Sequence, residues 1–235
     1  MSMIGQYGSG SVFDAPLDQR LTFLRKTYLH VTGAMFALVA LSALLYFSGV
    51  SEAMMKWITE SGRMGWLAII GAVMALGWVS SAMTRSETSI GAQYGGLTLY
   101  VVLEAVILAP LLWLAAKFAP MALPSATVVT LLTFGGLSAY VFLTNKDFTW
   151  MGPALAILML VAVGTIVCGV IFGFELGIWF SAIMVLLSAG AILYSTSKVL
   201  HVYRTDQHVA AALEIFAAVA MMFYWVLRLF LQMRR

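Results

Sequence analysis

Read for polarity, the chain alternates long apolar runs with short polar breaks. Seven runs predict helices, at about 27–49, 63–84, 91–115, 122–143, 150–172, 177–197 and 208–231. A membrane-spanning helix needs roughly 20 mostly apolar residues, and every run is about that long. None shows the period-two alternation of a barrel strand, and only helices or closed barrels satisfy their backbone polar groups in lipid. The breaks carry the charges and turn formers: Lys56 and Arg63, Arg85 and Glu87, Lys117 and Pro120, Lys146 and Asp147, Glu175, and Lys198 to Gln207. The pattern therefore predicts an all-α integral membrane protein. A polar N-terminal tail, residues 1–26, precedes a compact bundle of seven transmembrane helices with no room for a separate soluble domain.

Composition supports this reading. Hydrophobic residues make up 62% of the chain and charged residues 10%, against about 45–50% and about 25% in an ordinary soluble domain. The main partner is thus the lipid bilayer. A net charge of +3 without a long basic run gives no footing for nucleic acid. Residues 1–20 are polar and Gly-rich, unlike a cleaved signal peptide, so the first helix is expected to act as the targeting signal.

Lys and Arg counts predict orientation. With the N-terminus inside, the inner segments hold Arg20, Arg25, Lys26, Arg85, Lys146, Lys198 and Arg204, against Lys56, Arg63 and Lys117 outside. Arg234 and Arg235 run against that count if the last helix crosses fully. Small residues four apart let helices approach closely. Gly91 and Gly95 open the third helix this way, and Gly169, Gly173 and Gly177 run through the turn between the fifth and sixth. Asp147 and Thr149 are N-cap candidates for the fifth helix, with Pro153 in its first turn.

Ionisable residues inside membrane segments are functional-site hypotheses by default. Counted from Glu214, helical spacing places Ala218, Met221, Trp225 and Arg228 on one face. Glu214 and Arg228 are roughly 21 Å apart along the axis, so Arg228 reads as an interfacial anchor. Glu214 is either a cavity-facing carboxylate that meets cations or protons, or a carboxyl near the interface bonded to a neighbour. The third helix carries the stripe Gln93, Gly96, Tyr100 and Glu104. Glu104 is the more central of the two glutamates and is expected to face the interior with a partner. Glu104, Glu214 and Ser195 are the candidate ion or proton path. Ser195 ends a line with Ser181 and Ser188 that either lines a pore or packs helices.

No metal or other cofactor is implied. His201 and His208 flank Asp206 without metal-ligand spacing, and His201 reads as a solvated loop residue. His208 could titrate near the membrane surface, and His30 is expected at the interface. The lone Cys168 sits in an apolar run as a small packing residue. HExxH, GxSxG and GxxxxGK[ST] are all missing, so no enzyme is predicted.

Residues 135–155, GGLSAYVFLTNKDFTWMGPAL, resemble the signature region of the Bax inhibitor family, also called the transmembrane BAX inhibitor motif family. Gly136, Leu137, Ser138, Tyr140, Thr144, Asp147, Phe148, Thr149 and Gly152 fit its pattern. AILYSTSKVL, residues 191–200, resembles the family's ILYDTS, and residues 208–230 resemble its last helix, so the resemblance covers roughly residues 20–232. It implies a bacterial inner-membrane protein and a pH-sensitive leak of calcium or other cations through a pair of buried aspartates. Those aspartates fall on Ser195 and Ala218, so neither carboxylate is present here. Two functions follow from the resemblance. One is a weak calcium or proton-linked leak in which Glu214 or Glu104 substitutes for the pair. The other is a non-conducting modulator or binding partner of membrane proteases or stress-response proteins, using the N-terminal tail.

Overall fold

The computed structural model describes residues 11–84 and 89–233; the first ten residues, Arg85, Glu87, Arg234 and Arg235 lie outside them. Among the described residues seven helices are long and apolar enough to cross a membrane. They are α1 (Leu17–Phe47), α2 (Val50–Thr84), α3 (Ile90–Phe118), α4 (Ala122–Thr144), α5 (Gly152–Phe172), α6 (Ile178–His201) and α7 (His208–Met233).

α7 is the axis of the bundle. Of its most apolar stretch 72% is buried, against 11% in α2 and α5. Helices α1, α3, α4 and α6 pack around it. The outer helices turn large apolar side chains outward, among them Phe36, Leu132, Leu160, Phe172 and Leu186. In water such a surface would aggregate; in lipid it is solvated. At about 1.5 Å per residue, α7 is roughly 39 Å long, enough to cross a hydrocarbon core of about 30 Å.

Two helix starts differ from the hydrophobic runs. α1 begins at Leu17, ten residues early, because its first turns are amphipathic: Phe23 and Thr27 are buried while Asp18 and Gln19 are exposed. α2 begins at Val50 and breaks at Gly62, whose φ of 57° and ψ of −137° suit glycine alone. Its first segment carries the exposed Lys56–Glu60 pair (3.8 Å), which is why hydropathy reads it as a connector.

The close approach of α2 and α3 is made at Gly96. A Cβ there would lie 2.7 Å from the Ser80 carbonyl oxygen, and the Ser80 hydroxyl donates to the Gly96 carbonyl at 2.6 Å. Gly91 meets nothing closer than 3.7 Å and Gly95 meets a flexible Met83 side chain at 3.2 Å. Gly173 ends α5 in a left-handed conformation, while nothing lies within 4 Å of a Cβ at Gly177. Cys168 is exposed on the outward face of α5 rather than packed.

Candidate functional site

Helices α2, α3, α5, α6 and α7 line an open cavity of about 1200 Å³. The whole stripe expected on α7 lines it: Glu214, Ala218, Met221, Trp225 and Arg228, continuing to Gln232. From Glu214 to Gln232 the cavity therefore runs about 27 Å along α7. Tyr100 and Glu104 line it from α3, Ser195 and Tyr194 from α6, and Arg63 from α2.

One end carries a charge cluster. The Lys198 ammonium donates to both Glu214 carboxylate oxygens at 3.0 Å, and the Tyr203 hydroxyl donates to Glu214 Oε2. The ion-pair side chains are 20% and 21% exposed. Lys198 also lies over the Tyr194 and Tyr203 rings, at 5.6 and 5.4 Å. The apolar run stops at 197, so hydropathy places Lys198 in a connector. The helix continues to His201, and that extra turn carries the ammonium to α7. Residues below the connector brace Tyr203: the Val12 N–H donates to its carbonyl at 2.9 Å, with Val12 fully buried. Phe13 stacks on His201 at 5.0 Å, so His201 is a packed helix-end residue instead of a solvated loop one.

Glu104 contrasts with Glu214. It is 8% exposed, yet among the described residues it makes no hydrogen bond or ion pair, so the expected partner is not there. Pro110, further along α3, has no N–H to donate to the Val106 carbonyl, and both residues line the cavity.

The serine line divides. Ser181 donates to Gln232 Oε1 at 2.6 Å, and Ser188 to its own helix at Met184 (2.7 Å); neither lines the cavity. Ser195 lines it while donating to the Ile192 carbonyl at 3.2 Å. Ala218 stands on the same cavity wall. Arg228 lies over the Trp225 ring at 5.3 Å. His30 accepts from or donates to the Tyr94 hydroxyl at 2.8 Å, and its ring lies 5.2 Å from that of His208. No group of three metal-ligating side chains lies together among the described residues.

The α4–α5 hairpin holds α6 in place. Ser138 meets Thr196 at 3.4 Å, hydroxyl to hydroxyl. The Ser197 hydroxyl donates to Asp147 Oδ1 at 3.3 Å and accepts the Phe148 N–H at 2.8 Å. A Cβ on Gly152 would lie 2.9 Å from the Tyr194 ring. Residues 194–197 are thus clasped from one side by the 138–152 segment, which sets Ser195 and Lys198 toward the cavity and α7. Thr144 bonds back to Tyr140, whose ring approaches Phe148 at 6.0 Å. Packing within the chain does not account for Gly136, which has nothing within 4 Å of a Cβ. Asp147 does not cap α5. A 3-10 turn, Thr149–Met151, leads into that helix, and Asp147 accepts the Thr149 N–H at 2.8 Å. These bonds from Thr149, foremost its side chain, hold the Asp147 carboxyl below the ordinary aspartate value. Pro153 does sit in the first turn of α5.

The clasp joins two of the stretches that carried the sequence resemblance, and a sequence profile decides the matter. The profile described as "Inhibitor of apoptosis-promoting Bax1" matches residues 20–235. The chain belongs to the Bax inhibitor family. Among Bax inhibitor relatives, Protein lifeguard 4 of Mus musculus is 26% identical over 227 residues, covering 94% of this chain and 89% of its own length. The uncharacterized protein PA2604 of Pseudomonas aeruginosa is 32% identical over 109 residues. That match covers 45% of this chain, which spans about half of PA2604, 48% of its length. No solved structure matches.

Proposed function

We propose that this Bax inhibitor family member is a slow cation leak, for calcium or in linkage with protons, held shut by the Lys198–Glu214–Tyr203 cluster. The observation that carries the reading is the cavity: it follows α7 for most of a bilayer's thickness and ends on that ion pair. Ser195 and Ala218 occupy the wall where the resemblance places aspartates, so the negative charge available to a passing cation comes from Glu214 and Glu104, with Glu175 exposed on the same wall. Pairing with an ammonium both satisfies Glu214 and occupies the place a cation would take. We further place the protein in a bacterial inner membrane with its N-terminus in the cytoplasm. The Lys and Arg distribution supports the orientation, and the similarity to PA2604 of Pseudomonas aeruginosa supports the bacterial source.

Reconstituted vesicles loaded with a calcium dye test the leak. The native chain is expected to pass calcium slowly, Lys198→Met faster, and Glu104→Gln with Glu214→Gln more slowly. Equal flux through native and carboxylate-free proteins would overturn the reading. A native chain silent beside a conducting Ser195→Asp, Ala218→Asp variant would favour a non-conducting modulator of membrane proteases or stress-response proteins.

A further inference from the structure

The cavity holds a feature that a bare-ion path leaves unexplained. Its volume, about 1200 Å³, lies above the roughly 300–1,000 Å³ common for small-molecule sites. A naked calcium ion instead takes 6–8 oxygen ligands at close range. The cavity's wall is largely apolar, and the rings of Trp66, Tyr100, Tyr194 and Tyr224 are part of it. Set among them is Glu104, 92% buried and without a hydrogen bond or ion pair among the described residues. A buried carboxylate is costly unless a positive charge or a proton offsets it.

Of the other charges on the wall, Glu175 is exposed to solvent and three are anchored by neighbours. Glu214 is held by Lys198 and Tyr203. Arg63 donates to the Ile171 carbonyl at 3.1 Å, and Arg228 lies on Trp225. The cavity therefore offers one buried anionic group without an ion-pair partner among the described residues, set among aromatic faces, which attract cations through their quadrupoles. The Arg228–Trp225 pair already uses that attraction within the same wall.

We infer that the cavity binds a lipophilic organic cation, its positive centre at the Glu104 carboxylate and its apolar body against the aromatic wall. The ligand class follows from the combination: a single buried carboxylate supplies the charge recognition, and the remaining volume is filled by apolar surface. The site needs no conduction and is independent of the leak reading.

Tetraphenylphosphonium is a suitable probe, with tetraphenylborate as the anion of the same shape. Equilibrium dialysis of the full chain in detergent requires no ion gradient, so its outcome is separate from any flux result. The native protein is expected to bind tetraphenylphosphonium saturably, about one per chain. Glu104→Gln is expected to weaken binding at least tenfold, Glu104→Asp to keep most of it, and Trp66→Ala to weaken it several-fold. Tetraphenylborate is expected to bind without saturation. Size-exclusion and thermal profiles matching the native chain identify folded variants; Glu104→Asp keeps the charge if Glu104→Gln fails that check. No saturable binding by the native chain, equal affinity in folded Glu104→Gln, or loss of binding in folded Glu104→Asp would overturn the inference. So would equal saturable binding of the borate, which would mark an apolar cavity that takes either charge.

Discussion

The cavity has two carboxylates in two different conditions. Glu214, at one end, receives an ammonium and a phenol hydroxyl. Glu104, midway along α3, is more deeply buried and receives neither. Stability accounts for the first arrangement, since an ion pair with added hydrogen bonds offsets the desolvation of its members. It does not account for the second, where a neutral residue of similar size would cost less. A fold keeps such a group where a ligand or a proton meets it, and the contrast separates a closing element from a binding element within one cavity.

The largest expected effect breaks the partnered end. Lys198→Met leaves Glu214 buried without its cation. A fully buried pair broken this way loses about 3–5 kcal/mol; with side chains about one-fifth exposed, about 2–3 kcal/mol is expected. The double variant Lys198→Met, Glu214→Met should recover most of the loss. Thermal unfolding in detergent of the two single variants and the double gives the coupling directly. Additive losses would mean that the pair contributes nothing as a pair.

At the unpartnered end the sign reverses. Glu104→Leu removes a buried group with no hydrogen bond, and an unsatisfied buried group costs about 1–3 kcal/mol. A gain of about 1 kcal/mol in stability is expected together with slower calcium flux and the loss of tetraphenylphosphonium binding. A destabilised Glu104→Leu protein would show that Glu104 has a structural partner after all, and the comparison between the two glutamates would lose its basis. Tyr203→Phe is milder. It deletes one hydroxyl bond to Glu214 while leaving Lys198 in place, for about 1 kcal/mol, read by the same thermal assay.

The seven spans and the polar residues within them were legible because lipid imposes a length and a charge rule on any chain that crosses it. Helical spacing alone put Glu214, Ala218, Met221, Trp225 and Arg228 on one face, and all five line the cavity. What it did not give was any relation between helices. Lys198 looked like a connector charge because hydropathy falls at the end of α6 while the helix continues. The clasp between residues 138–152 and 194–197 joins segments far apart in the chain, and no local pattern announces which hydroxyl meets which. The early start of α1 was missed for a related reason: its first turns bury one face and wet the other, so their mean polarity resembles that of a tail.

A third carboxylate sharpens the comparison from outside the membrane. Asp147 is exposed, and its hydrogen bonds come from Thr149 and Ser197. They favour the charged form, so its carboxyl titrates below the ordinary aspartate range in the folded protein. A folded value below the unfolded one means that the group stabilises the fold above the unfolded value, about 3.9, and that this contribution fades as pH falls through the folded value. Asp147→Asn keeps the shape and loses the charge; solvent screens this exposed group, so a loss of only about 0.5 kcal/mol is expected at neutral pH. The gap between native and variant stability should close as the pH drops below about 4. A constant gap down to pH 3 would place the contribution of Asp147 in shape alone. A gap much larger than 1 kcal/mol would mean that this exposed contact governs the position of α6, and with it Lys198, more strongly than the cavity-side pairing does.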